Sequence, residues 1–211
     1  MERALHWFRR DLRLSDNTAL NAASRRSEVV YTAYVASAWT REHDWTGAGR
    51  QEFLCGCLEM LGADIEASGG KLIHRRGDAV TEMVRLAEAL GVDSVYANRD
   101  PDPFGREVER RLAAALEKSG RKLILFKDVA IHERDEVLTG AGGSFRVFTP
   151  YSRAWGKLPK PATGPRAARL ASPPAGVDLG QPPRLADWGL VADGTLLPRA
   201  GEAAASERVD R

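Results

Sequence analysis

Five short runs of β-branched and aromatic residues, at 4–8, 28–36, 71–76, 92–97 and 123–126, punctuate the first 126 positions. Between them the apolar period changes from strand-like to helical. Positions 17–24 form a short alanine-rich stretch that Asp16 or Asn17 can cap. Leu54, Leu58, Leu61 and Ile65 recur at helical spacing from residue 48 onward, and Gly69-Gly70 stops them. Asp78 is placed to cap a third helix with Val80, Val84, Ala87 and Leu90 on its buried stripe, closed by Gly91. Val108, Leu112 and Leu116 mark a fourth, which Gly120 ends. Strands that alternate with helices must be joined by right-handed crossovers, so the sheet is parallel and covered on both faces.

The chain is therefore expected to hold an α/β, doubly wound, Rossmann-like domain built on a five-stranded parallel sheet, with its core at 1–130. Residues 131–158, which include a flexible turn at 139–144 and an aromatic run at 145–155, close that domain. Residues 159–198 carry most of the 11 prolines and read as an extended Pro/Gly-rich linker, solvated along its arginines at 166–169 and 184. Positions 199–211 are strong helix formers and too short to be stable alone, so they read as the start of a truncated helical domain.

Several function classes drop out. A net charge of +2 calls for neither nucleic acid nor an anionic membrane. No apolar run spans a bilayer and no secretory leader is visible, which predicts a cytoplasmic protein with no membrane partner. Cys55 and Cys57 are two apart on a helix, a spacing that suits neither a disulfide nor a shared metal. His6, His43, His74 and His132 are scattered, so no metal site is expected. The doubly wound pattern invites a dinucleotide, yet no G-x-G-x-x-G follows the first strand, and there is no P-loop, no nucleophile elbow and no H-E-x-x-H.

Where the glycines would stand, the chain instead has Trp7-Phe8-Arg9-Arg10-Asp11-Leu12-Arg13-Leu14-Ser15-Asp16-Asn17. This much opposite charge at a strand's carboxyl end exceeds what a connector needs, and ligands of open α/β sheets bind at that edge.

The wording of residues 7–20 resembles the opening of the DNA photolyase and cryptochrome family. Three further stretches are similar to it: Arg50-Gln-Glu-Phe53-Leu54; Asn98-Arg99-Asp100-Pro-Asp-Pro-Phe104-Gly105-Arg106 after the fourth strand; and Val147-Phe148-Thr149-Pro150-Tyr151 with Trp155. The resemblance implies the N-terminal α/β domain of that family, which carries an accessory light-harvesting chromophore for a light-driven DNA repair lyase. By the same resemblance the FAD, the electron-relaying tryptophans and the lesion pocket belong to a C-terminal helical flavoprotein domain absent from this chain. No catalytic residue of pyrimidine-dimer repair is then expected here, DNA is engaged only through the full-length protein, and Trp7, Trp39, Trp45, Trp155 and Trp188 read as core or interface aromatics.

An antenna site needs apolar faces and a few fixed polar groups. The expected walls are the carboxyl ends of strands one, two and four: Phe8, Arg9, Arg10 and Asp11; Tyr34, Val35 and Ala36, continuing to Ala38; and Asn98 through Asp100 to Phe104. Arg50 and Phe53 would close the site from their helix. In folate-binding relatives a glutamate in the loop after the fourth strand grips the pterin; here Phe104-Gly105 stands where the family has Asn-Glu, which argues against methenyltetrahydrofolate. Asp100 matches an aspartate of deazaflavin-binding relatives, so 8-hydroxy-5-deazaflavin is favoured, FMN or FAD is the rival, and a cavity without a chromophore is the remaining outcome. A cryptochrome-type photoreceptor shares this domain, and a stand-alone ATP- or AMP-binding α/β domain is the reading outside the family.

Overall fold

A computed structural model describes residues 2–37, 47–133, 135–167 and 170–209. Ala38, Trp39, His43, Trp45 and Arg169 lie outside the described residues. Five strands form one sheet: β1 (Arg3–Phe8), β2 (Val29–Ser37), β3 (Leu72–Gly77), β4 (Ser94–Asn98) and β5 (Lys122–Phe126). Their order is β3-β2-β1-β4-β5, and every pairing is parallel. The register pairs Phe8 with Tyr34 and Tyr34 with His74, so the strands' carboxyl ends share one edge of the sheet.

The two faces are closed by helices α1 (Thr18–Arg26), α2 (Ala48–Ala67), α3 (Ala79–Ala89) and α4 (Pro103–Glu117). Strand side chains alternate between the faces. Leu5, Trp7, Val35 and Val95 pack with Met83 and Leu86 of α3 and Leu112 and Leu116 of α4. Ala4, Phe8, Val30 and Tyr96 pack with Leu20 of α1 and Leu58, Leu61 and Ile65 of α2. Full burial of each such leucine or methionine contributes about 1.5–3 kcal/mol.

The caps are local and visible. Asn17 accepts a hydrogen bond from the Leu20 amide, and Asp16 beside it adopts a left-handed φ of 53° instead of capping. Asp78 accepts from the Thr81 amide, and Asp102 caps α4 with Pro103 in its first turn. Two expectations shift. On α3 the buried stripe runs through Met83 and Leu86, and Val84 is only half-buried. The expected Val80, Ala87 and Leu90 are buried with them. β4 begins at Ser94 rather than 92, because the Val92 amide donates back to the Ala87 carbonyl across Gly91, whose φ is +58°.

Beyond β5, helix α5 (Phe148–Lys157) buries none of its residues, and Phe148 is 76% exposed. Between 158 and 198 the described chain has one 3-10 turn, Leu185–Trp188, and no strand. Most described residues of this stretch, Arg166 and Arg184 included, are exposed, while a few backbone hydrogen bonds tie it to the domain. The Ala167 amide donates to the Leu14 carbonyl (3.1 Å), the Ala171 amide to Val30 (2.9 Å), and the His74 amide of edge strand β3 to Leu179 (2.7 Å). Helix α6 (Glu202–Val209) ends the described chain. Among the described residues no helix is long and apolar enough to cross a membrane.

Candidate functional site

The strand order reverses direction between β1 and β4, with β2 and β3 on one side and β5 on the other. Loops leaving β1 and β4 must therefore diverge, and the space between them is the crevice in which doubly wound sheets hold ligands. A cavity of about 300 Å³ lies there. Trp7, Phe8, Val35, Ala79 and Val108 give it apolar walls, Phe104 stands half-exposed at the mouth, and Gly77 and Asp78 approach from the end of β3.

The polar groups are fixed by one another. Arg9 lays its guanidinium over the Trp7 ring, 4.6 Å from the centroid, and donates to the carboxylate of Glu109. The same guanidinium lies 3.4 Å from Oδ2 of Asp100, and Arg10 Nε lies 3.3 Å from that oxygen. Arg10 reaches Asp102 at 3.6 Å, and Arg111 faces Asp78 at 3.4 Å across the mouth. Asp100 is buried, and its Oδ1 accepts the Asp102 amide at 2.9 Å. Gly105 makes this placement possible: a Cβ there would stand 2.3 Å from Asp100 Cγ and 2.5 Å from Asp100 Cβ. Burial pushes the Tyr34 phenol up to about 12, so its hydroxyl stays neutral and able to donate.

Under this site runs a buried polar network. Asp11 Oδ1 accepts the Arg9 amide (2.9 Å), while its Oδ2 accepts from the side-chain amides of Asn17 (2.9 Å) and Asn98 (2.6 Å). Asn98 in turn accepts the Ala19 amide at 2.9 Å. The network ties the end of β4 and the start of α1 to the loop that carries Arg9 and Arg10. His6 sits fully buried beside it, its Nε2 3.8 Å from Asp11, with neither ring nitrogen hydrogen-bonded among the described residues. Burial, outweighing the nearby Asp11 and Asp128, lowers its pKa to about 4, so the ring is neutral at pH 7.

Of the residues singled out in the sequence, the cavity wall gathers Phe8, Arg9, Arg10, Tyr34, Val35, Asp100 and Phe104. Asp11 points inward to the network and Ala36 lines a separate polar pocket with Arg75 and Arg76. Arg50 and Phe53, near the start of α2, are outside the described lining. Sequence reasoning missed Trp7 as a wall, the Gly77-Asp78 turn, and Arg111, Val108 and Glu109 of α4. The turn was readable in principle, because β3 is parallel to its neighbours and ends at the same edge. Glu109 sits beside the Val108 stripe, where a charged residue ordinarily marks the solvent edge of a helix.

Comparison with known proteins settles the family. The DNA photolyase family model matches residues 4–169. The chain belongs to the DNA photolyase family. The deoxyribodipyrimidine photo-lyase of Synechococcus sp. is 32% identical over 97% of this chain, which spans 44% of that relative's length. The crystal structure of a bacterial class III photolyase from Agrobacterium tumefaciens matches all of this chain and 44% of its own, with 28% identity and a TM-score of 0.85. An archaeal photolyase from Sulfolobus tokodaii, solved with two FAD molecules and described as implying a novel light-harvesting cofactor, shares the fold over 84% of this chain and 40% of its own, at a TM-score of 0.72 and 21% identity.

Proposed function

We propose that this chain is the light-harvesting unit of a photolyase: it binds a flat, near-ultraviolet or blue-absorbing ring in the crevice between β1 and β4. When bound, such a ring absorbs light and passes the excitation to a flavin held elsewhere. Repair of pyrimidine dimers, the FAD and the DNA contacts are assigned to a C-terminal helical domain of the kind the longer relatives supply.

The observation that carries the reading is the cavity's composition. Its walls are aromatic and aliphatic, and its charged groups are already paired, Arg9 and Arg10 with Asp100 and Arg111 with Asp78. A fixed, largely apolar slot holds a planar ring rigidly and excludes water from it. The cavity of about 300 Å³, with Trp7, Val35 and Val108 as apolar walls, supports a planar ring of this size as its occupant.

Among chromophores, 8-hydroxy-5-deazaflavin is favoured, with FMN or FAD as the rival that the Sulfolobus tokodaii structure makes concrete. Methenyltetrahydrofolate ranks last, because the space a glutamate would need at position 105 is filled by Asp100. The test is an absorption titration of the purified chain with each chromophore, repeated for Asp100→Ala. Tight uptake of deazaflavin, weakened about tenfold or more by the substitution, is the expected result. Uptake of ATP or AMP without any of the three chromophores would reject the reading in favour of a nucleotide-binding domain.

A further inference from the structure

Glu109 does not line the cavity, yet a single oxygen of its carboxylate serves both loops that do. Oε1 accepts the Asp100 backbone N–H at 2.7 Å, from the loop after β4, and pairs with the Arg9 guanidinium, from the loop after β1. The residue is 5% exposed on a helix whose neighbouring positions, Val108 and Leu112, are apolar core. A buried ion pair is weak evidence of stability, since apolar side chains of similar volume do as well or better. Its presence here needs another reason, and the geometry supplies one. Through Arg9, Glu109 fixes a cation on the Trp7 face and beside Asp100 Oδ2; through the amide, it fixes the backbone from which Asp100 projects. Gly105 completes the arrangement by leaving room beneath Asp100.

We propose that Glu109 is a positioning residue: it sets Arg9 and Asp100, and through Arg9 the Trp7 wall, in the geometry that receives the ring. The proposal rests on reading the cavity as a chromophore site, so its test has one arm without any ligand. In the 15N-labelled full chain, the Asp100 amide and the Trp7 indole N–H are followed in wild type, Glu109→Gln and Glu109→Leu. Glutamine keeps an acceptor for the Asp100 amide and loses the charge that holds Arg9. It should move the Trp7 signal and leave the Asp100 amide protected from exchange. Leucine should move both. Should the leucine variant not fold, the glutamine variant carries the comparison alone.

In the second arm each protein is titrated with 8-hydroxy-5-deazaflavin and with FMN, reading affinity and the induced visible circular dichroism. The expected result is affinity lowered about tenfold in the glutamine variant, the scale of one charge-assisted hydrogen bond, with a changed dichroism band. Unmoved Trp7 and Asp100 signals in the ligand-free variants overturn the proposal whatever binds. So does wild-type affinity with an unchanged band, if Asp100→Ala weakens binding in the same assay. Shifted signals in a chain whose wild type takes up neither probe would uphold the positioning of Arg9 and Asp100 and reject the chromophore reading.

Discussion

Replacing Gly105 by alanine is the smallest change that tests whether Asp100 is built into the site. In an exposed helix the substitution would stabilise by about 1 kcal/mol, since alanine forms helix more readily than glycine. Here the new methyl carbon would meet Asp100 Cγ at 2.3 Å and Cβ at 2.5 Å. The second distance decides the outcome. A different rotamer can withdraw Cγ, but Cβ is fixed to the backbone, so the loop itself must retreat by about 1 Å to reach ordinary contact. That retreat pulls on the Asp100 amide bond to Glu109, 2.7 Å long, and on the contacts of Oδ2 with Arg9 and Arg10. Overpacking costs about 1–3 kcal/mol and a weakened charge-assisted bond about 1.5–3, so after the helix gain the net loss is about 1.5–5 kcal/mol. For a chain of this size that is a fall in Tm of roughly 3–20 °C. Thermal unfolding followed by far-ultraviolet circular dichroism measures it. A Gly105→Ala protein with an unchanged or raised Tm would show that Asp100 has somewhere else to go, and the reasoning would be wrong.

Two further outcomes are expected. His6 titrates near 4 when folded and near 6.5 when unfolded. The unfolded chain therefore binds the extra proton between those values, and stability is lost as pH falls from about 6.5 to about 4, by about 3 kcal/mol from this group. Urea unfolding across that range should show a shallower decline in His6→Phe than in wild type, and parallel curves would refute the assignment. Glu202, at the start of α6, accepts the backbone amides of Leu14 (2.8 Å) and Ser15 (3.0 Å), and Arg166 stands 3.6 Å from it. Glu202→Ala should speed hydrogen exchange at those two amides by about tenfold or more while the β1 amides stay protected; unaltered exchange at Leu14 and Ser15 would count against the clamp.

The layers of this fold were legible because each level of the sequence agrees with the next. Leu58, Leu61 and Ile65 bury where their spacing puts them, and Asn17 and Asp78 cap where a short polar side chain precedes a helical period. The site was legible where chemistry sits on a strand end, as with Arg9, Arg10 and Asp100. It was not legible where tertiary approach decides. Trp7 alternates into the apolar core and reads as nothing more, yet its ring also forms a cavity wall beneath Arg9. Glu109 looks like a solvent residue until the β1 loop is folded over it. Asp11, which shares the charged corner with Arg9, turns inward because Asn17 and Asn98 offer it two donors. Nothing in the local sequence distinguishes an inward carboxylate from an outward one. The proline-rich stretch after Leu158 has the composition of a linker, and the free backbone groups of edge strand β3 and of the 14–16 loop hold it against the domain.

The central claim is that the crevice between β1 and β4 receives the chromophore ring. A crystal structure of the chain reconstituted with 8-hydroxy-5-deazaflavin tests it most directly. The account predicts the ring against Trp7 and Val35, with a polar edge within hydrogen-bond distance of Asp100 or Arg10. A ring bound elsewhere on the domain, with Asp100 and Gly105 unchanged and this cavity filled by water, would contradict it.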